Sequence, residues 1–484
     1  MQLFDLVVRG GTVVTAEGRT AADVAISDGQ IVQVGPHLGA GRQEVDASGR
    51  LVLPGAIDSH CHIAQESSTG LMTADDFLTA TRAAACGGTT TVVPFAAQHR
   101  GQSLRDVVRE YHARAADRAV VDYAFHMIVS DPDRRALEQD LPALIDEGCT
   151  SFKVFMTYDA LKLTDAQILD VLSLARDERA LVMVHAENSD AIAWKTRRLL
   201  ADGHTAPRYH ADSRPAVVER EAVHRMISLA ELVGAPLLVV HVASADALEQ
   251  IQWARNRGLI VYGETCPQYL FFTADDLDKP GFEGAKYVFS PPPRDRASQE
   301  ALWNGLRHGT LDVLSSDHAP YRLNDADGKS VHGNKAPFPK IPNGMPGLEV
   351  CYPLAFSEGV LKGRLTLEQF VALSATNAAR IYGIYPRKGT IAPGSDGDLA
   401  IWDPNLRVTI TNERLHHRMD YTPYEGMTVT GWPVVTISRG EVVWANGEIN
   451  ARPGRGRFLP CERFNAERVS ANRADQPQTV GGFS

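Results

Sequence analysis

Two histidines two positions apart, His60 and His62 in Asp58-Ser59-His60-Cys61-His62, project from the same face of an extended strand and could share one metal ion. Taken alone, such a pair is as readily two buried histidines with ordinary hydrogen bonds. Other metal-type side chains stand within or just after short apolar runs. These are Lys153 in Phe152-Lys153-Val154-Phe155-Met156, His185 after Leu181-Val182-Met183-Val184, His241 after Leu237-Leu238-Val239-Val240, and Asp317 after Leu314-Ser315-Ser316. Imidazoles and carboxylates converging from several strand ends are the donor set of metal-assisted hydrolysis.

Lys153 is the unusual member of the set. A protonated ammonium among Phe152, Val154 and Phe155 suffers a desolvation penalty that depresses its pKa. The neutral amine can add carbon dioxide, giving a carbamate whose two oxygens could each bind a metal. The bland alternative is a lysine that snorkels to solvent or pairs with a carboxylate. For Asp317 the functional role is to hold a metal through one oxygen and accept a proton through the other, and the bland one is a buried carboxylate satisfied by amides. The remaining histidines, His99, His112, His224, His416 and His417 among them, read as surface or core residues.

Side chains this far apart in sequence meet only if the elements carrying them are arranged around one axis. Eight apolar runs, Leu51–Ile57, Thr89–Phe95, Val121–Val129, Ser151–Met156, Leu181–His185, Pro236–Val242, Leu259–Gly263 and Asp312–Ser316, alternate with amphipathic stretches such as Ser103–Ala116, Thr164–Arg179 and Arg214–Val233. That alternation predicts an α/β (β/α)8 TIM-like barrel with reacting groups at the strand ends. Period-two segments at both chain ends, Leu6–Val14, Ala22–Ile26, Asp398–Trp402, Val429–Ile437 and Glu441–Trp444, predict a small β-sandwich subdomain built from both. The boundaries read from these changes of texture are 1–53 and 386–460 for the subdomain, 54–385 for the barrel and 461–484 for a C-terminal arm.

Composition narrows the function classes. The 484 residues are 44% hydrophobic and 22% charged with a formal net charge of -10, which suits a soluble globular protein and offers no basic field for nucleic acid. No apolar stretch is long enough for a membrane span, and Met1-Gln-Leu-Phe lacks the basic start of an export signal. The six cysteines are scattered without metal-type spacing and read as reduced thiols, so a cytoplasmic location is expected.

The sequence resembles the hydantoinase and dihydropyrimidinase family of the amidohydrolase superfamily. The matching motifs are Gly55-Ala56-Ile57-Asp58-Ser59-His60-Cys61-His62, Thr150-Ser151-Phe152-Lys153-Val154-Phe155-Met156-Thr157-Tyr158, Val184-His185-Ala186-Glu187-Asn188, Val240-His241-Val242, Ser290-Pro291-Pro292, Ser316-Asp317-His318 and Lys340-Ile341-Pro342-Asn343-Gly344. The resemblance implies two Zn2+ ions bridged by N6-carboxylated Lys153 and a hydroxide. His60, His62, Lys153 and Asp317 would hold one ion, and Lys153, His185 and His241 the other. It further implies that Tyr158 donates to the carbonyl under attack, that backbone groups of Ser290 and Asn343 hold the ring amide, and that His318 adds to the substrate site. Asp317 would pass the proton, the substrate would be a small cyclic amide, and the assembly a homotetramer.

Two departures bear on the substrate. The loop Ala64-Gln65-Glu66-Ser67-Ser68-Thr69-Gly70-Leu71-Met72 begins more polar than those covering bulky substituents, which suits a small ring. Ala319-Pro320-Tyr321 stands where many members carry a cysteine, and 322–339 reads as a mobile polar lid. The rival activities are cyclic-imide hydrolysis on the same centre and, less well matched, allantoinase. Dihydroorotase would want an Arg shortly after the His pair, where Ile63-Ala64-Gln65 stands. A non-catalytic scaffold of the same fold would lack the ligand positions.

Overall fold

Eight parallel strands follow one another around the barrel in chain order: Ala56–Cys61, Thr89–Ala97, His126–Ile128, Ser151–Phe155, Leu181–His185, Leu237–Val239, Val261–Thr265 and Val313–Leu314. The computed structural model describes residues 3–67, 70–445 and 447–470. Every residue of these eight strands is buried, as strands covered on both faces must be. The ring is closed by a parallel bridge between Cys61 and His318, with the His62 amide donating to the His318 carbonyl at 2.7 Å.

Helices after the strands pack their apolar faces against the outside of the ring, as Ala80, Ala84, Ile168 and Leu172 do in one cluster with Val92, Phe152 and Val182. Phe77–Cys86 starts at Asp76, whose carboxylate accepts from the Leu78 and Thr79 amides; Asp165–Asp177 starts in a capping box between Thr164 and Gln167. Register sets which side chains emerge together. Phe155 pairs with His185 and Val184 with Val239, so the fourth, fifth and sixth strands end close to one level of the barrel mouth.

Both chain ends build a β-sandwich, through strands Phe4–Val14, Arg19–Ser27, Gln30–Gly35, Leu51–Pro54, Leu399–Thr409, Thr428–Ser438 and Glu441–Ala445. Its core contains Leu6, Val8, Ile26, Ile401, Val435 and Ile437. Leu51–Pro54 ties the two ends together, parallel to Phe4–Val14 and antiparallel to Leu399–Thr409.

The run Leu51–Ile57, expected as one barrel strand, therefore splits. Its first half belongs to the sandwich and the second to the barrel, with Gly55 at the join. A Cβ on Gly55 would lie 2.1 Å from the Thr90 hydroxyl oxygen, so only glycine lets the chain pass there. Hydrophobicity cannot reveal the break because both halves are buried. Other strands are shorter than their apolar runs: Val121–Val129 resolves into Asp122–Tyr123 and His126–Ile128, and the last strand is Val313–Leu314.

The chain past Pro460 is no free arm as far as Ser470. Leu459, Cys461, Phe464 and Val469 join a cluster with Ile57, Leu181, Tyr262 and Val313 inside the barrel, covering the end opposite the strand termini. The last ten residues, on which no structure was expected, lie outside the described residues, as do Met1, Ser68 and Thr69. All six cysteines are free and buried. Among the described residues no helix is long and apolar enough to cross a membrane.

Barrel and sandwich are joined by a buried charge cluster. The Lys388 ammonium donates to Asp122 and Asp398 at 2.7 Å each and lies 3.0 Å from Asp396, while Arg439 sits 3.0 Å from the other Asp122 oxygen. Removing the cation leaves buried carboxylates without their partner. Lys388→Met is therefore expected to destabilise the protein by about 3–5 kcal/mol. Denaturant unfolding of the variant against the parent measures it.

Candidate metal centre

The strand ends deliver His60, His62, Lys153, His185, His241 and Asp317 to one place at the barrel mouth. His60 Nε2 stands 2.8 Å from Lys153 Nζ and 3.1 Å from an Asp317 oxygen, which is also 3.2 Å from His62 Nε2. His241 Nε2 lies 2.9 Å from His185 Nδ1. Ligand atoms of His60, His241 and Asp317 all fall within 4.8 Å of one another. His241 and Asp317 have positive φ, 41° and 46°, and so does Tyr158 at 67°. Non-glycine residues in that region are strained by about 1–3 kcal/mol each, and here the strain sits where the strands turn into the mouth.

The donor set fits metal ions on its own geometry. His185 Nε2 is paired with Glu187 at 2.7 Å, so its Nδ1 is left as a bare lone pair facing His241. The His241 ring turns Nε2 onto that lone pair at 2.9 Å and leaves its own buried Nδ1 without a partner, so two imidazoles converge with a nitrogen unsatisfied, an arrangement that suits a cation. Burial holds His62 and His185 below the usual imidazole range and His241 well below it, which keeps them in the neutral, ligating form. Burial likewise lowers Lys153 to about 8, and its Nζ lies 4.3 Å from the Phe95 ring centre and 5.2 Å from that of Phe155. Against the burial that would raise it, His60 and His62 hold the Asp317 carboxyl well below the ordinary carboxylate range.

Behind this cluster stand carboxylates that no sequence pattern singled out. Glu264, at the end of the seventh strand, is 2.5 Å from His60 Nδ1 and accepts the His241 amide at 3.2 Å. It thereby aims Nε2 of His60 into the centre. Glu187 does the same for His185 and is itself paired with Arg214 at 2.7 Å; against its burial, Arg214 and His185 bring it down to about 2. Asp58, pushed up to about 6 by burial, accepts the His60 and Ser316 amides and ties the first strand to the eighth. Glu187 could have been noticed two residues after a ligand histidine. Glu264 carries no local signal.

A cavity of about 450 Å³ opens above the cluster. Its floor is His62, Lys153, His185, His241 and Asp317, one rim carries Tyr158, Ser290 and Asn343, and the walls include Leu71, Phe155, Leu161, Ile192 and Phe338. It is roomier and more apolar than the polar start of the loop after the first strand suggests, because Phe155, Leu161, Ile192 and Phe338 come from other segments. Burial raises the Tyr158 phenol, keeping it a protonated donor, with the Arg214 guanidinium 5.4 Å from its ring centre.

Two expectations are corrected here. His318 does not face the cavity: its Nε2 is 3.1 Å from Asp75, its Nδ1 accepts the Gly347 amide at 3.1 Å, and the ring is buried behind the barrel closure. Segment 322–339, expected as a mobile polar lid, is tied to the body of the protein at its start and middle. Asp420 accepts the Leu323 and Asn324 amides, and the Lys329 side chain is completely buried beneath the segment.

Comparison with known proteins gives relatives over nearly the whole chain. Residues 51–443 match the model of the amidohydrolase family. The D-hydantoinase of Geobacillus stearothermophilus is 46% identical over 95% of this chain and 97% of its own, and that of Rhizobium radiobacter 45% over 95% and 100%. The crystal structure of dihydropyrimidinase from Brevibacillus agri NCHU1002 superposes with a TM-score of 0.92 at 44% identity, covering 95% of this chain and 99% of that one.

Partners of ligand histidines fix ring orientation and basicity, and their loss costs about 10–100-fold in metal affinity. Glu264→Ala is expected to weaken metal retention by that factor, read by titrating loaded protein with a chelator. An unchanged chelation curve would show that Glu264 does not orient His60.

Proposed function

Since the chain belongs to the amidohydrolase family, within its hydantoinase and dihydropyrimidinase branch, and is a cyclic amide hydrolase, we propose that its substrates are hydantoins and dihydropyrimidines, opened to N-carbamoyl amino acids. The observation that supports the reading most is the cavity whose floor is the His, Lys and Asp cluster and whose rim carries Tyr158, Ser290 and Asn343. In the reaction the bond between the ring carbonyl carbon and the ring nitrogen breaks. Water supplies hydroxyl to the carbon and a proton to the nitrogen.

His60, His62, Lys153 and Asp317 would hold one metal, and Lys153, His185 and His241 the second, with Lys153 carboxylated to reach both. The bound metals supply Lewis acidity and a hydroxide nucleophile at neutral pH. Asp317, held ionised, accepts the proton of the nucleophile and returns it to the departing ring nitrogen. The Tyr158 phenol, still protonated, donates to the carbonyl oxygen as negative charge gathers on it. Backbone groups of Ser290 and Asn343 orient the ring amide, and the apolar wall takes the ring substituent. Zinc as the metal and a homotetrameric assembly belong to the same proposal and rest on the family resemblance, and a cytoplasmic location rests on the six free, buried cysteines.

Lys153→Ala is expected to abolish both metal loading and turnover, while Asp317→Asn lowers kcat about 10²–10⁴-fold with little change in melting temperature. An active Lys153→Ala protein with two metals, in buffer free of small carboxylates, would remove the bridging role. The substrate is tested by the ring-opening rates of zinc-loaded protein on dihydrouracil, an arylhydantoin and succinimide side by side. Faster turnover of the two ureido rings is the expected result; preference for succinimide would make the protein a cyclic-imide hydrolase.

A further inference from the structure

Lys329 is a lysine with no exposed surface, and neither of its acceptors is a carboxylate. Its Nζ donates to the backbone carbonyls of Val288 and Pro342, at 2.9 Å each. Burying an ammonium against two neutral carbonyls is costly, and burial pushes Lys329 down to about 7. Nothing in the packing of an ordinary core calls for such a group, since an apolar side chain of the same length would fill the space.

The position of the two carbonyls supplies a reason. A peptide unit is planar, so the Pro342 carbonyl and the Asn343 N–H lie in one rigid plane and point in opposite directions. A donor fixed on the carbonyl therefore sets the direction in which the Asn343 amide points. Val288 stands two residues before Ser290, and its carbonyl also accepts the Gly344 amide at 3.0 Å, so one oxygen couples both ring-binding segments. Gly344, at φ 143°, has the Ala319 carbonyl oxygen 2.4 Å from where a Cβ would be, which leaves this segment no room to shift toward Ala319. On the other side the same device recurs with His210, whose Nε2 meets the Phe289 carbonyl at 2.8 Å and so fixes the plane carrying the Ser290 N–H.

The turn that carries Lys329 is built to deliver it. The Lys329 amide donates to Arg322 O at 2.7 Å, Ser330 Oγ to Asp325 O at 2.9 Å, and the Gly328 amide to Asp325 O at 3.0 Å. The next residues, Val331 and His332, line the cavity.

We propose that Lys329 is a positioning residue for substrate, its Nζ clamping the Val288 and Pro342 carbonyls so that the backbone groups of Ser290 and Asn343 stand at the spacing a cyclic amide requires. The assignment rests on the cyclic-amide reading of the cavity.

The test uses full-length, metal-loaded Lys329→Met and Lys329→Gln. Four quantities are read: KM and kcat on a hydantoin the parent opens, metal per chain, and amide hydrogen exchange in the segments 286–292 and 341–346. Losing the two hydrogen bonds that hold a binding edge predicts a KM for the Met variant raised roughly tenfold or more with kcat changed by less than about threefold. Metal content stays the same, exchange quickens in those two segments alone, and the Gln variant, which keeps a donor, falls between Met and parent. An unchanged KM in a folded variant, a loss of turnover that follows loss of metal, or exchange accelerated throughout the barrel would each overturn the assignment. Should the Met variant not fold, the Gln variant decides by the same readings. If the parent opens no cyclic amide the functional reading fails, and exchange confined to the two segments still supports the clamp while its absence removes that as well.

Discussion

The constraint on which this molecule turns is the burial of Lys153 at the end of an apolar strand, faced by two phenyl rings and by His60. A cation there is unfavourable, and the neighbours do not remove the difficulty by pairing with it. Asp317 is shared with His60 and His62, and Glu264 is occupied by His60 and the His241 amide. A neutral amine, carboxylated as proposed above into an anion that metals could share, would resolve the conflict in a way that an ordinary ion pair would not. The barrel brings what that solution would need, namely six donors from five different strand ends at one mouth.

Much of this was legible in the chain. The eight apolar runs alternating with amphipathic stretches identify the barrel, and the family comparisons and the fold agree. His60, His62, Lys153, His185, His241 and Asp317 could be singled out because each stands at or near the end of an apolar run, where period and chemistry change together. The structure brings all six into one cluster. Tyr158, Ser290 and Asn343 were accessible only through resemblance, since a tyrosine in a turn and backbone groups in loops have no physical signature in one sequence.

What was not legible has a common cause. Periodicity reports burial, and burial does not distinguish two architectures that both bury a residue. Hence Leu51–Ile57 read as one strand, although Gly55 divides it between sandwich and barrel. His318, expected at the substrate site through the resemblance, is turned away from it by local backbone geometry that no apolar pattern encodes. With φ of 46° at Asp317 the chain turns sharply there, sending the next side chain back toward Asp75. The room in the cavity escaped notice because its walls come from segments remote from the loop whose polarity was read.

Glu264, Glu187, His210 and Lys329 show how the fold converts modest donors into directional ones. The first two act on imidazoles, each taking one ring nitrogen so that the other faces inward. The other two act on peptide planes, each bonding a carbonyl on the far side of an amide that borders the cavity. All four partners are buried, and Glu264, Glu187 and Lys329 stand behind the residues that line the cavity. A buried partner has no competing water, so its hydrogen bond keeps one direction and the group in front of it is aimed before any ligand arrives. That is also why these partners are charged or titratable residues in places where packing alone would accept an apolar side chain. The cost of burying them is tolerated where a direction, and not merely a volume, has to be set.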